Sequence, residues 1–253
     1  MLRAPSPPPP PRATTATKPG RIERAAFGHI EASAGHRVLL YGPGGIGKTT
    51  MACMAPGPVA VFDLDGSLGV LSGQLPEEVR AKILVLSGIQ SWDAMLDSLD
   101  ADGWNEIKTI VIDSITLAEE MATAWVVANV PHEKGSIIRR IEDYGFGKGF
   151  THIYETFLKL LSALDRHVRA GRNVILIAHD CTANVPNPSG EDWLRYEPRL
   201  QAPGSGKSSI RLRVREWVDH MLFIGYDVDV KNAKGRGSGT RTMYPTELPF
   251  CMA

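Results

Sequence analysis

Short, largely apolar runs recur along the chain at residues 38–41, 59–62, 83–86, 109–112 and 173–178. They are rich in Val, Ile and Leu and lack polar alternation, the pattern of strands covered on both faces of a parallel sheet. Amphipathic stretches lie between them. Residues 91–99 predict a short helix. Tyr154, Phe157, Leu158, Leu161, Leu164 and Val168 recur at helical spacing, with Thr151 placed as an N-cap and Gly171 as the C-terminal stop. Arg211, Arg213 and Arg215 alternate with Leu212 and Val214, which predicts a strand with three guanidiniums on one face. Residues 218–226 predict another strand, continued by 227–230. A turn at 234–239 then leads into residues 240–244, a C-terminal β-hairpin with a basic tip. Strands alternating with helices predict an α/β protein with a mainly parallel sheet flanked by helices.

The polar stretches set the remaining organisation. Residues 1–20, with an unbroken proline run from Pro7 to Pro11, offer nothing apolar to bury and read as a disordered, extended tail. Residues 21–37 read as an irregular edge element, and 21–253 as one domain. Residues 129–150 are polar and glycine-rich and read as a mobile surface segment. Residues 180–209 show no clear periodicity and predict a long loop. Its end, PGSGKSS at 203–209, imitates a phosphate-binding loop, but Gln201 stands where the first glycine belongs and no apolar strand precedes it. It reads as a flexible basic loop.

Charge changes this picture locally. Lys plus Arg and Asp plus Glu are both 28, so the net charge is zero and no polyanionic partner follows from the total. The distribution is uneven: residues 60–125 hold twelve acidic against three basic side chains, and residues 199–241 hold nine basic against four acidic. Cys53, Cys181 and Cys251 stand in no metal-binding spacing, and no run of residues is apolar enough to span a membrane. These features predict a soluble protein of a reducing cytoplasm.

The chemistry concentrates at residues 41–50, YGPGGIGKTT. Gly42, Pro43, Gly44, Gly45, Ile46, Gly47, Lys48 and Thr49 complete the P-loop pattern G-x-x-x-x-G-K-[ST], followed by Thr50. The glycines let backbone N–H groups approach phosphate oxygens, Lys48 supplies a point charge for the β- and γ-phosphates, and Thr49 offers its hydroxyl to Mg²⁺. An apolar strand enters the loop and a helix leaves it, which favours an anion. The run at 109–112 ends in Asp113, the position from which a P-loop enzyme supports its Mg²⁺. Ser114 follows in place of a water-activating Glu, so a base must come from another strand. Asp65 in FDLDG is the candidate, with only one of Asp63 and Asp65 expected to face the nucleotide. His179, the polar end of IAH, is placed to sense the γ-phosphate. The guanine-reading N-K-x-D pattern is absent.

The order P-loop, FDLDG, VIDS, IAHD, VDHMLFI and basic hairpin resembles the RecA-like ATPase core. More closely, it resembles the small phage and prophage ATP-binding proteins of single-strand annealing recombination, over about residues 36–248. The resemblance implies a P-loop strand separated from the Mg²⁺-site strand by one other. It also implies homo-oligomers with ATP at subunit interfaces and single-stranded DNA on loops beyond the Mg²⁺ and sensor strands. Asp65 falls where the recombinases carry a catalytic Glu and His179 where many carry Gln. The resulting expectation is an Mg²⁺-dependent ATPase that binds single-stranded DNA and assists recombination or annealing, with a single-strand-binding or recombination protein as partner. Lys231, Lys234 or Arg236 of a neighbouring subunit would neutralise transition-state charge. Phe146, Phe150, Trp193 and Tyr196 are the candidate stacking platforms for bases. The alternatives are a nucleotide-gated scaffold with little turnover and a replicative-helicase-related loader or motor.

Overall fold

A computed structural model describes residues 35–253 apart from 87, 205, 232 and 233, and for 229–236 the backbone alone. The expected tail at 1–20 and most of the expected edge element at 21–37 lie outside the described residues. The parallel strands follow the apolar runs: β1 (Arg37–Gly42), β2 (Val59–Asp63), β3 (Ile83–Val85), β4 (Thr109–Asp113) and β5 (Asn173–Val185). After them come β6 (Trp193–Pro198), β7 (His220–Lys231) and β8 (Lys234–Tyr244). The main sheet has the order β3-β2-β4-β5-β1-β7-β8, with β6 pairing β5 off this path. Pairings are parallel from β3 to β7, whereas β7–β8 and β5–β6 are antiparallel. Thus β5 lies between the P-loop strand β1 and β4, the RecA-like arrangement.

The helices are α1 (Lys48–Cys53), α2 (Leu68–Leu71), α3 (Glu77–Arg80), α4 (Trp92–Asp100), α5 (Ile115–Asn129), α6 (Lys148–Arg169) and α7 (Ile210–Trp217). Alternation along the strands feeds two cores. Leu39, Tyr41, Ile110, Ile112, Val174, Leu176 and Ala178 join the larger one, with Trp92, Ala118, Phe157, Leu160 and Val214 from helices α4 to α7. Leu40, Val111, Ile175 and Ile177 join the smaller one with Ala52, Cys53 and Leu68. Trp92 is fully enclosed beside Phe157, and Ser91 caps its helix by accepting the Ala94 N–H at 3.1 Å.

Several boundaries differ from expectation. The arginine-rich stretch is the helix α7, not a strand: Ile210, Val214 and Trp217 are buried at helical spacing, and the Ser209 hydroxyl accepts the Leu212 N–H. A helix turns Arg213 away from Arg211 and Arg215, which stand one turn apart on one face, and each of the three is paired. Arg211 binds Glu197, Arg215 binds Glu247, and Arg213 faces Glu216 at 3.6 Å, so the three guanidiniums make no shared unpaired cationic face. The expected loop at 180–209 contains a hairpin, because β5 runs on past the main sheet and β6 folds back on it from Asp180↔Pro198 to Val185↔Trp193. This extension is exposed or half-buried except at Glu197 and Pro198, so it carries no apolar alternation to read. Helix α6 starts at Lys148 after the left-handed Gly147, leaving Thr151 inside its first turn. The expected turn at 234–239 is strand, with its irregularity between Tyr226 and Val228 instead.

Candidate active site

Strand ends and one loop build a cavity of about 510 Å³ at the carboxyl edge of the sheet, lined by Gly44, Gly45, Lys48, Asp65, Asp113, His179 and Arg241 among others. Strands β2, β4, β5 and β1 release their chains here in register, Asp63↔Asp113, Asp113↔Ile177 and Gly42↔His179. Parallel pairing therefore gathers side chains separated by more than a hundred residues. A second hollow of about 570 Å³ beside Trp104 and Arg172 carries none of these groups.

The loop has the form a phosphate cradle needs. A Cβ at Gly44 or Gly45 would meet no atom within 4 Å, so these glycines face open space rather than protein. Gly45 and Gly47 have φ of +71° and +105°, conformations that favour glycine. Gly42 is bare for another reason: a Cβ there would lie 2.2 Å from the Ile224 carbonyl oxygen of β7. Lys48 is buried at 6 % exposure and its ammonium donates to the Gly42 and Pro43 carbonyls at 2.7 and 2.9 Å. Burial lowers its pKa, opposed by Asp113, Asp180 and Asp65.

Thr49 Oγ1 donates to Asp113 Oδ2 at 2.6 Å, joining the loop to the end of β4. Asp113 is 2 % exposed, and burial raises its pKa to about 6, with Asp65 and Asp63 adding to the rise and Thr49 and Lys48 opposing it. These are hard oxygen donors. Among the described residues no group of three or more His, Cys, Asp or Glu could hold a metal unaided. Mg²⁺ ordinarily takes one or two carboxylates together with substrate phosphates, so a hydroxyl and carboxylate beside a phosphate cradle fit it.

Residues two apart on a strand share a face, so strand alternation does not separate the two aspartates of FDLDG; β2 ends at Asp63, and the turn beyond it does. Asp63 accepts the Ser67 and Leu68 N–H groups at 2.9 and 3.2 Å and so shapes the turn into α2. Asp65 enters the cavity, where its Oδ1 accepts from Ser114 Oγ at 3.1 Å and its Oδ2 lies 3.2 Å from His179 Nε2. Against an ionised carboxylate that ring nitrogen is the donor. Ser114 also caps α5 by accepting the Leu117 N–H at 3.4 Å, and the Asp113–Ser114 peptide is cis. The residue standing in place of a catalytic Glu is thus a hydroxyl that orients Asp65.

Sequence reasoning missed Arg241, which reaches from β8 to donate to the Ile46 carbonyl at 2.7 Å. A lone Arg between two threonines gave no signal of this. The side chains of Lys231, Lys234 and Arg236 lie outside those described. Of the aromatic candidates, Tyr196 stacks on Phe223 at 5.1 Å between ring centroids, while Phe146 is fully exposed.

A model of the AAA domain matches residues 34–249, most of the chain. The chain belongs to the AAA-domain family. With its P-loop, Asp113 and strand order, this AAA-domain protein is a RecA-like P-loop ATPase that binds nucleotide. Comparison with curated proteins returns no match. Among solved structures it is similar to the RadB recombinase (16 % identity over 76 % of this chain and 75 % of that one, TM-score 0.39). It is also similar to a KaiC-like protein from the hyperthermophilic archaeon Pyrococcus horikoshii OT3 (19 %, 85 % and 88 %, TM-score 0.42). A third is an ATPase from the type III secretion system of pathogenic bacteria (15 % identity, TM-score 0.42), where the match covers 76 % of this chain and 52 % of that one. The family match, and not these distant neighbours, carries the assignment. No helix among the described residues is long and apolar enough to cross a membrane.

Proposed function

We propose that this ATPase hydrolyses Mg·ATP in response to single-stranded DNA, and that it assists phage-type homologous recombination or strand annealing in the cytoplasm. The observation that carries the catalytic half is the convergence of Lys48, the Thr49–Asp113 pair and the Asp65–His179 pair on one cavity. In this reading the loop N–H groups and Lys48 hold the phosphates. Thr49 and Asp113 would hold Mg²⁺, which would supply charge neutralisation at the phosphates. Asp65, oriented by Ser114, positions the attacking water.

The DNA half draws on connectivity. His179 sits on the strand that continues directly into the β5–β6 hairpin, which bears Trp193 and Tyr196. A change at the γ-phosphate would pass through His179 to the root of that hairpin. Exposed Phe146 and half-exposed Phe150 and Trp193 are available to stack on bases. Assembly into homo-oligomers and a single-strand-binding or recombination partner belong to the same proposal, as do a disordered tail at 1–20 and one ATP-binding domain over 21–253.

One observation favours a second reading. Both Asp65 oxygens already have protein partners, which suits a nucleotide-gated scaffold that binds ATP with little turnover. Phosphate release from ATP, with and without single-stranded DNA, separates the two. Stimulation by DNA that disappears in Lys48→Ala and drops at least about a hundredfold in Asp65→Ala supports the hydrolytic reading. ATP binding with no phosphate release under either condition refutes it and favours the scaffold.

A further inference from the structure

Among the described residues Arg241 is the one Lys or Arg of the cavity wall besides Lys48, and it comes from outside the P-loop and its helix. The sheet order puts it in a distinct place. Asp65 and Asp113 reach the loop from β2 and β4, on one side of β1, and Arg241 reaches it from β8, on the other. The two carboxylates and the guanidinium thus flank the loop from opposite sides. Arg241 Nη1 holds the Ile46 carbonyl at 2.7 Å and lies 3.1 Å from where a Gly47 Cβ would sit. It therefore rests on the turn whose N–H groups would face a phosphate.

The surroundings fix this position. Tyr226, the register partner of Arg241, lies beneath its guanidinium at 5.9 Å. Thr240 and Thr242, on either side of it in sequence, donate to the Asp227 carboxylate at 2.6 and 2.7 Å and pin β8 to β7. Among the described residues Arg241 makes no ion pair of its own. A guanidinium carries several N–H donors in a planar fork suited to phosphate oxygens; the bond to Ile46 uses one of them, and the side chain lines the cavity.

We propose that Arg241 is a nucleotide-binding residue acting within its own subunit: it donates to the phosphate chain of the bound nucleotide from the side opposite Asp113. This rests on the nucleotide reading of the P-loop and adds to it a cation that the motif does not contain. The phosphates then lie between Mg²⁺-side carboxylates and a guanidinium, and nucleotide binding is tied directly to the β7–β8 hairpin.

The test is calorimetric titration of the full-length protein with Mg·ATP at several salt concentrations, for wild type, Arg241→Gln, Arg241→Lys and Lys48→Ala. Arg241→Gln is expected to weaken ATP binding about tenfold or more, the effect of one charge-assisted hydrogen bond. It should also flatten the dependence of affinity on salt, since an ionic contact is lost. Arg241→Lys should recover most of the salt dependence. A thermal unfolding midpoint within a degree or two of wild type would accompany these changes. Binding by Arg241→Gln within twofold of wild type overturns the proposal, as does weakened binding with an unchanged salt dependence, which would mean that Arg241 merely shapes the loop. Those results leave the nucleotide site standing if Lys48→Ala abolishes binding. Failure of wild type to bind ATP overturns both.

Discussion

Asp113 should limit the stability of this protein because its carboxylate is held ionised in a buried place. Its carboxyl is enclosed at the end of β4, and its pKa of about 6 stands roughly two units above the ordinary value near 3.9. At about 1.4 kcal/mol per unit, holding it ionised at neutral pH costs about 3 kcal/mol. Asp113→Asn removes that charge, relieves the repulsion from Asp65 and Asp63, and keeps an oxygen to accept from Thr49. The variant should therefore be more stable than wild type at pH 8 by about 2–3 kcal/mol, a rise of roughly 5–10 °C in the unfolding midpoint for a domain of this size. A carboxyl whose folded pKa is raised contributes stability below its unfolded pKa and loses it as pH rises through the folded one. The advantage of Asp113→Asn should accordingly shrink between about pH 6 and pH 4 and vanish below that. Saturating Mg·ATP should reverse the order, because it stabilises wild type by linkage and the variant far less. Urea or thermal unfolding at pH 8, 6 and 4, with and without Mg·ATP, measures all of this. If Asp113→Asn is no more stable at pH 8 without nucleotide, or if its gain does not vary with pH, the argument that burial strains this carboxylate is wrong.

Glu119 offers a contrast. Burial raises its pKa to about 7, opposed by the Gln201 N–H that it accepts at 2.8 Å and by Arg211. Glu119→Gln should gain about 2 kcal/mol at pH 8, with the gain fading toward pH 4; unlike that of Asp113→Asn, it should persist in Mg·ATP. An equal urea midpoint at pH 8 would count against it. Gly42→Ala should lose at least about 2 kcal/mol, since its φ of +150° is strained for a side chain and the new Cβ would press on the Ile224 carbonyl. Unchanged unfolding in urea would contradict the close approach of β1 and β7.

The sequence by itself determined the local chemistry and the sheet's buried strands. The P-loop was legible because its chemistry uses contiguous residues: the strand, the glycine turn, Lys48 and Thr49 all lie within a dozen positions. Strands β1, β2, β4 and the inner part of β5 were legible because burial on both faces leaves a run of Val, Ile and Leu that nothing else explains. Helix α6 was legible from one wide apolar stripe. Where an element is short or half-exposed the pattern degenerates. In α7 the alternation Arg-Leu-Arg-Val-Arg fits a period of two, and only the burial of Ile210, Val214 and Trp217 against the larger core makes it a helix. The β5–β6 hairpin buries too little to leave a signal.

Only the tertiary structure decided which distant side chains meet. Whether Asp63 or Asp65 enters the cavity depends on where β2 ends relative to β4, and the turn that Asp63 organises leaves Asp65 for Ser114 and His179. Arg241 reaches the P-loop because parallel pairing of β7 with β1, followed by the antiparallel return of β8, carries a residue nearly two hundred positions away to the Ile46 carbonyl. Contacts of that kind are set by strand order and register. Those follow from how the two cores close on the sheet, and no local run of residues encodes them.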